Sequence, residues 1–200
     1  MSDPDLKTLQ MACEEGQRTF EYQVERLREI DSKAIEILKA NLLIIGVLVT
    51  ALSIAIQAGV DVSGVANLFT ITGAVLLLAS TGLAGVTYNA SNIRGGVGKS
   101  AIEQTLSEGY TEQEFYEVLA RSYGEWIAYN SEVTAANDIL VTVTVIFVID
   151  AFILLAFGIA VAFLGPPTAV AVGTYLVVVG VVGALSWLVY QMDHLGGVDG

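Results

Sequence analysis

The sequence predicts an all-α membrane protein with four transmembrane helices. Of its 200 residues, 54 % are apolar and only 15 % are charged, whereas soluble domains average about 45–50 % and about 25 %. Four segments also reach the roughly 20 mostly apolar residues that a helix needs to cross a hydrocarbon core of about 30 Å. Because these segments do not alternate between apolar and polar residues, they favour helices over the strands of a barrel.

The chain divides into five parts along its length. We expect an amphipathic helix at 1–40, a transmembrane hairpin at 41–88, a loop and second amphipathic helix at 89–138, a second hairpin at 139–190 and a tail at 191–200. The four spans are 41–60, 65–88, 139–164 and 168–190, and none contains Lys or Arg. The first 40 residues are too rich in charge to hold the apolar core of a signal peptide, so we expect the first span to direct insertion itself.

The distribution of positive charge predicts the orientation. All nine Lys and Arg residues lie before span one or between spans two and three. The two short connections, near Asp61 and at 165–167, carry none. Because positive residues gather on the cytoplasmic side of a membrane, we expect both termini and the central segment in the cytoplasm. This predicts a multi-pass protein of the cell membrane.

Two apolar stripes with the three- and four-residue spacing of a helix lie largely outside the spans. The first consists of Phe20, Val24, Leu27, Ile30, Ala34, Ile37 and Leu42; the second consists of Phe115, Leu119, Ser122, Trp126, Tyr129 and Val133. Thr111 and Glu114 have the spacing of a capping box that starts the second helix. We expect the stripes to pack together as a cytoplasmic helical stalk; the alternative is that a stripe docks a soluble partner.

The two halves of the chain follow one plan, in which an amphipathic helix leads into a hairpin with a very short outer turn. Ala40–Asn41 and Ala136–Asn137 occupy matching positions where helix meets span, which favours a parallel duplication. Small residues at helical spacing let helices approach closely, either within one chain or between the subunits of a homo-oligomer. These pairs are Thr81 with Gly85, Gly158 with Ala162, and Gly180 with Ala184.

Asp150 is the most informative residue, because it lies near the middle of the third span. A charge at that depth costs about 2.5–3.5 kcal/mol on insertion scales, so such residues usually face the protein interior or water. The functional interpretation is a carboxylate that handles protons or cations in a pore or carrier. The structural interpretation is a protonated or hydrogen-bonded Asp that joins spans, with four candidate partners: Ser80, Thr81, Ser53 and Thr50.

The sequence contains no pattern typical of a catalytic or metal site. Cys13 and His194 lie near opposite ends of the chain without a motif partner, so we expect no enzyme activity, no cofactor and no metal. The segment 94–100 (RGGVGKS) is similar to the phosphate loop of partitioning-type ATPases, but it follows a transmembrane helix where that loop needs a buried strand. We interpret it as a flexible turn whose Arg94 and Lys99 meet lipid head groups.

A resemblance to small multi-pass membrane proteins of haloarchaea is carried by VERLREIDSKAIEILKANLLIIGVLVTAL and YGEWIAYNSEVTAANDILVTVTVIFV. The net charge of −12 agrees, since acidic surfaces keep proteins soluble in a salt-loaded cytoplasm. This charge makes nucleic acid an unsuitable partner. The order of helix, hairpin and helix is also similar to SLATT-type membrane effectors, a resemblance that implies pore formation.

Together these features predict a non-enzymatic membrane protein, embedded in the lipid bilayer as a homo-oligomer, that forms or gates an ion-conducting path near Asp150. The alternative prediction is a membrane scaffold or accessory subunit that docks a soluble cytoplasmic partner through its amphipathic helices. An Asp150 that faces a dry, fully packed interface would count against the first function. An apolar patch exposed on the cytoplasmic helices, without a continuous polar channel, would favour the second.

Overall fold

A computed structural model describes residues 4–195 of the chain and the side chains of residues 4–191. All elements in this part are helical: α1 (Leu6–Gln57), a 3-10 turn (Ser63–Val65), α2 (Leu68–Asn89), α3 (Lys99–Glu108), α4 (Glu112–Leu164) and α5 (Thr168–Leu195). Four of them, α1, α2, α4 and α5, are long and apolar enough to cross a membrane. The predicted all-α class is therefore confirmed in the described residues, and four apolar helices of transmembrane length lie where the sequence predicts the spans. Residues 196–200 of the predicted tail lie outside the described residues.

Gly59 and Gly165 end two of the apolar helices. Gly59 follows α1 with φ 72° and Gly165 follows α4 with φ 56°, left-handed conformations that residues with a Cβ rarely adopt. The Val60 N–H donates to the Ala55 carbonyl at 3.0 Å, which is the wide hydrogen bond of a Schellman motif. After Gly165, Pro166 lacks the N–H that would extend the helix. These local signals place both turns close to where the sequence predicts them.

Internal contacts divide the chain into two compact units. The polar unit comprises residues 4–32 and 89–138, and the apolar unit comprises residues 33–88 and 139–195. All four predicted spans fall in the apolar unit. Because α1 and α4 are each continuous, both units contain a part of each of these two helices.

Within the polar unit, α1 packs alongside α4. Cys13 Sγ donates to the Tyr116 carbonyl at 3.4 Å, and Gln23 Nε2 donates to the Ile127 carbonyl at 3.1 Å. Because the paired residue numbers rise together along both helices, the two helices run parallel. Ile30, a member of the first predicted stripe, is fully buried, so apolar packing accompanies these polar contacts.

The predicted capping box is confirmed at the start of α4. The Thr111 N–H donates to Glu114 Oε2 at 2.8 Å, and the Glu114 N–H donates back to Thr111 Oγ1 at 3.3 Å. These reciprocal bonds satisfy N–H groups that have no partner within the first helical turn. The hydrogen bonds from Thr111 hold the pKa of the Glu114 carboxyl below its usual range.

This capping box predicts a pH-dependent helix start. A carboxyl whose pKa is lower in the folded state stabilises the fold above its unfolded pKa and loses that effect as pH falls through the folded pKa. We therefore expect the protection factors of the amides in the first turn of α4, which compare their exchange with the intrinsic rate at the same pH, to fall as the pH drops below about 4.5, the ordinary value for Glu. Glu114→Gln should weaken this pH response, whereas Glu112→Gln in the same turn should leave it unchanged. The same response in both variants would contradict the assignment.

Within the apolar unit, glycines let α2 and α4 approach closely. A Cβ at Gly73 would lie 3.0 Å from the Ala151 carbonyl oxygen, and one at Gly158 would lie 2.9 Å from the Thr70 nitrogen. Gly158, from the predicted small-residue pairs, is thus used in packing within the chain. The core here consists of Leu77, Ala151 and Leu155, against which Ile44, Ile45 and Leu48 of α1 pack.

A tyrosine on α5 joins that helix to α2. The Tyr175 hydroxyl lies 2.9 Å from Thr72 Oγ1, and the Tyr175 ring meets the Phe69 ring edge to face at a centroid distance of 5.1 Å. Phe69 also stacks on Phe157 of α4. These contacts lie near the beginning of α5, so they fix one end of that helix against the rest of the apolar unit.

Candidate functional site

A groove with a volume of about 750 Å³ runs between α4 and α5 in the apolar unit. Its α4 wall extends from Val141 to Ile153, which is about 18 Å at a rise of 1.5 Å per residue. Eight of the lining residues are Val, Ile or Leu side chains, and the other four are Lys33, Thr142, Asp150 and Ser186. The groove is therefore an elongated aliphatic surface with very few polar groups.

Asp150, the residue that the sequence singles out, lies in the wall of this groove. Ser186 Oγ of α5 is 3.0 Å from each of the two Asp150 carboxylate oxygens. Asp150 is half-buried, so its carboxyl group is not fully enclosed by packed side chains. The hydrogen bond to Ser186 orients the carboxyl group, while the groove leaves one side of it open.

The charges and oxygen atoms in the groove are few. Among the described lining residues, Asp150 is the one acid and Lys33 the one base, and no described basic side chain forms a salt bridge with Asp150. An ionised Asp150 would therefore carry a charge without a cationic partner, which is costly away from water. Side-chain oxygens come only from Asp150, Ser186 and Thr142 in this lining, fewer than the six to eight oxygens that surround a bound Ca²⁺ ion.

The partner of Asp150 differs from the four that the sequence predicts. Three of those hydroxyls donate to a carbonyl four residues earlier in their own helix, at 2.7–2.8 Å: Thr50, Ser53 and Thr81. The fourth, Ser80, faces α1 and α4 instead. A Ser or Thr hydroxyl in an apolar helix readily donates a hydrogen bond to a carbonyl of its own helix. Which hydroxyl binds Asp150 therefore depends on how the helices pack.

Ser80 belongs to a buried polar cluster that joins three helices. Asn41 Nδ2 donates to Ser80 Oγ at 2.9 Å, and Ser80 Oγ donates to the Thr144 carbonyl at 3.0 Å. Asn41, Ser80 and Thr144 are almost completely buried, and Asn41 Oδ1 has no hydrogen-bond partner among the described residues. This cluster is not predicted from the sequence; its one signal there is a polar residue within each of three apolar helices.

The two matching dipeptides of the predicted duplication have different surroundings. Asn41 lies in the polar cluster of the apolar unit. Asn137 lies in the polar unit, where its Nδ2 donates to Ser91 Oγ at 3.4 Å. These two asparagines therefore make different contacts, although they occupy matching positions in the sequence.

The glycine-rich turn is held against α4 in the polar unit. The Arg94 N–H donates to Asn130 Oδ1 at 2.9 Å, and Asn130 Nδ2 donates to the Arg94 carbonyl at 2.8 Å. The Arg94 guanidinium lies 4.0 Å from the centre of the Tyr129 ring, a cation–π contact. A Cβ at Gly95 would collide with the Phe20 ring, so this glycine is needed for close packing.

Two further residues noted in the sequence are Cys13 and His194. Cys13 is buried, and this burial raises the pKa of its thiol, which disfavours the reactive thiolate. The side chain of His194 lies outside the described side chains. In the described residues, no group of three or more His, Cys, Asp or Glu side chains is placed to hold a metal ion.

The groove lined by Asp150 is thus the candidate functional site, and its function has to be inferred from its own chemistry. The chain matches no protein-family model, and it shows no significant similarity to a curated protein or to a solved structure.

Proposed function

We propose that this chain is a non-enzymatic, four-span protein of the cell membrane that conducts protons along a path containing Asp150. The observation that supports this most directly is the open groove at the Asp150 carboxyl group, between two helices apolar enough to cross a membrane. Intramembrane carboxyl groups in such positions are typical of proton and ion pathways.

A proton suits this groove better than a metal ion. Binding of a proton converts the carboxylate into a neutral carboxylic acid, which removes the cost of a charge in an apolar environment. A metal ion would instead have to exchange its hydration shell for the oxygens of Asp150, Ser186 and Thr142. Release of the proton on the other side of the membrane would return Asp150 to its starting state.

The path is proposed to form in a homo-oligomer. The groove is open along its side, so a second copy covering it would surround Asp150 with protein instead of lipid. Of the four apolar helices, α5 is the least buried over its most apolar stretch, which leaves surface for such a contact. Gly180, from the predicted small-residue pairs, has open space around it on α5.

The proposed topology follows from charge. The N-terminal and central segments lie in the cytoplasm, because all nine basic residues fall in them. The even number of spans then puts the C-terminus on the same side. The polar unit then forms a cytoplasmic stalk built from the two amphipathic helices. The repeated order of amphipathic helix and hairpin is proposed to reflect two related halves.

The function is tested by proton flux into liposomes that contain the purified protein. A potassium gradient with valinomycin supplies the driving force, and an internal pH-sensitive dye reports the flux. We expect flux well above that of protein-free liposomes from the wild type and from Asp150→Glu, which keeps a titratable carboxyl group. Asp150→Asn keeps the shape but cannot exchange a proton, so its flux should fall to the protein-free level.

The matched control is Asp61→Asn, which removes one acid from the predicted hairpin tip and should leave the flux unchanged. Circular dichroism and elution volume establish that each variant is folded. Equal proton flux from the wild type and Asp150→Asn would overturn the role of this carboxyl group. Absence of flux of protons, Na⁺ and K⁺ from folded wild-type protein would overturn ion conduction.

A scaffold function is the alternative, and one observation favours it. Helix α3 leaves two apolar side chains exposed one turn apart, Ile102 at 48 % and Leu106 at 78 %. Exposed apolar patches on a soluble surface are typical of docking sites. In this alternative a soluble cytoplasmic partner covers α3, and the liposomes conduct no ion.

A further inference from the structure

We propose that the groove between α4 and α5 also binds a lipophilic organic cation. The positive charge of the ligand would pair with the Asp150 carboxylate, and its apolar body would lie against the aliphatic walls. This binding does not depend on proton conduction.

The size and lining of the groove fit a small organic molecule. Ligand sites are typically clefts of about 300–1,000 Å³, mostly apolar, with a small number of polar groups that fix orientation. The groove has a volume of about 750 Å³ and eight aliphatic lining residues. The Asp150–Ser186 pair supplies two of the four polar residues in that surface, and its carboxylate is already oriented by the serine hydroxyl.

The charge of the groove selects the sign of the ligand. Asp150 has no basic partner among the described side chains, so a bound cation would neutralise a charge that is otherwise uncompensated. Besides Asp150, the polar side chains that line the groove are Lys33 on α1, Thr142 on α4 and Ser186 on α5. The positive charge of Lys33 repels a cation from the part of the groove that Lys33 lines. The charge of the ligand is therefore expected to lie at Asp150.

An organic cation also avoids the shortage of oxygen atoms in the groove. Its charge is spread over a large apolar group, so the cost of removing it from water is smaller than for a compact ion. It therefore needs no shell of oxygen ligands, and the carboxylate of Asp150 is sufficient as a counter-charge. In the single chain the side of the groove is open, so a ligand dissolved in the bilayer can reach it laterally where a second copy does not cover it.

The test compares two probes of matched shape and opposite charge, tetraphenylphosphonium and tetraphenylborate. Binding to the full chain in uncharged detergent is measured by equilibrium dialysis without any ion gradient. We expect saturable binding of the phosphonium and none of the borate. Asp150→Asn should lower the phosphonium affinity by about ten-fold or more, and Asp150→Glu should retain it.

Two further variants separate binding in the groove from general attraction to an acidic protein. Asp61→Asn removes the same charge elsewhere and should bind the phosphonium normally. Ile149→Trp keeps Asp150 but fills the groove at an exposed lining position, so it should weaken binding. Phosphonium binding that survives both Asp150→Asn and Ile149→Trp would overturn the proposal. Saturable borate binding that depends on Lys33 would also overturn it and would identify an anion site.

This result is independent of the flux measurement. Phosphonium binding by a protein that conducts no protons would refute the proposed conduction and leave the binding site intact. Proton flux that depends on Asp150, without phosphonium binding, would refute the binding site alone.

Discussion

Gly158→Leu is expected to disrupt the contact between α2 and α4 and to lower the free energy of unfolding by about 3 kcal/mol. The contact leaves no room for a side chain, because even a Cβ at this position would lie 2.9 Å from the Thr70 nitrogen and 3.2 Å from its Cα. Backbone atoms cannot rotate away as the end of a side chain can, so one helix would have to move. That movement would also strain the hydrogen bond from Asn67 Nδ2 to the Gly158 carbonyl, which is 2.8 Å long.

The control for this substitution is Gly82→Leu on α2. Gly82 has nothing within 4 Å of an added Cβ, so the same change in volume and hydrophobicity should leave stability nearly unchanged. Reversible unfolding of both variants in mild detergent, followed by circular dichroism, supplies the comparison. A similar loss of stability in both variants would show that the close approach at Gly158 is not responsible.

The positions of the helices could largely be predicted from the sequence, because length and hydropathy suffice to identify a span. The predicted first span ends at residue 60 and α1 at Gln57, while the predicted second span begins at 65 and α2 at Leu68. Helix α3 was not predicted, because its two large apolar residues, Ile102 and Leu106, are largely exposed and form no buried stripe. A helix without a buried face leaves little periodic signal.

The candidate site could be predicted only in part. Asp150 is recognisable because an acid within an apolar span is costly, and this depends on the local sequence alone. Its partner Ser186 depends on which faces of α4 and α5 meet, a relation between helices that the hydropathy of single spans does not contain. The sequence does show that Asp150 and Ser186 lie on the two arms of one hairpin, 15 residues before and 21 residues after Gly165.

The buried cluster of Asn41, Ser80 and Thr144 could not be predicted for the same reason, because it too depends on which helix faces meet. Ser80 and Thr144 are unremarkable in their own helices, since Ser and Thr commonly bond to their own backbone in apolar helices. Only the packing of three helices reveals that Ser80 accepts from Asn41 and donates to the Thr144 carbonyl. The cluster therefore contributes to the choice of one helix arrangement among those that the hydropathy allows.

Ser80→Ala is accordingly expected to lower the free energy of unfolding by about 1–2 kcal/mol. The change removes the acceptor of Asn41 Nδ2, and Asn41 Oδ1 already has no partner among the described residues, so both ends of a fully buried amide would be left unsatisfied. Asn41→Leu in the Ser80→Ala background should recover most of the loss, because leucine has a branched end of similar shape and no polar group to satisfy. A double-mutant cycle measured by reversible unfolding in detergent gives the coupling between the two positions. Additive losses from the two substitutions would show that the hydrogen bond between Asn41 and Ser80 does not stabilise the bundle.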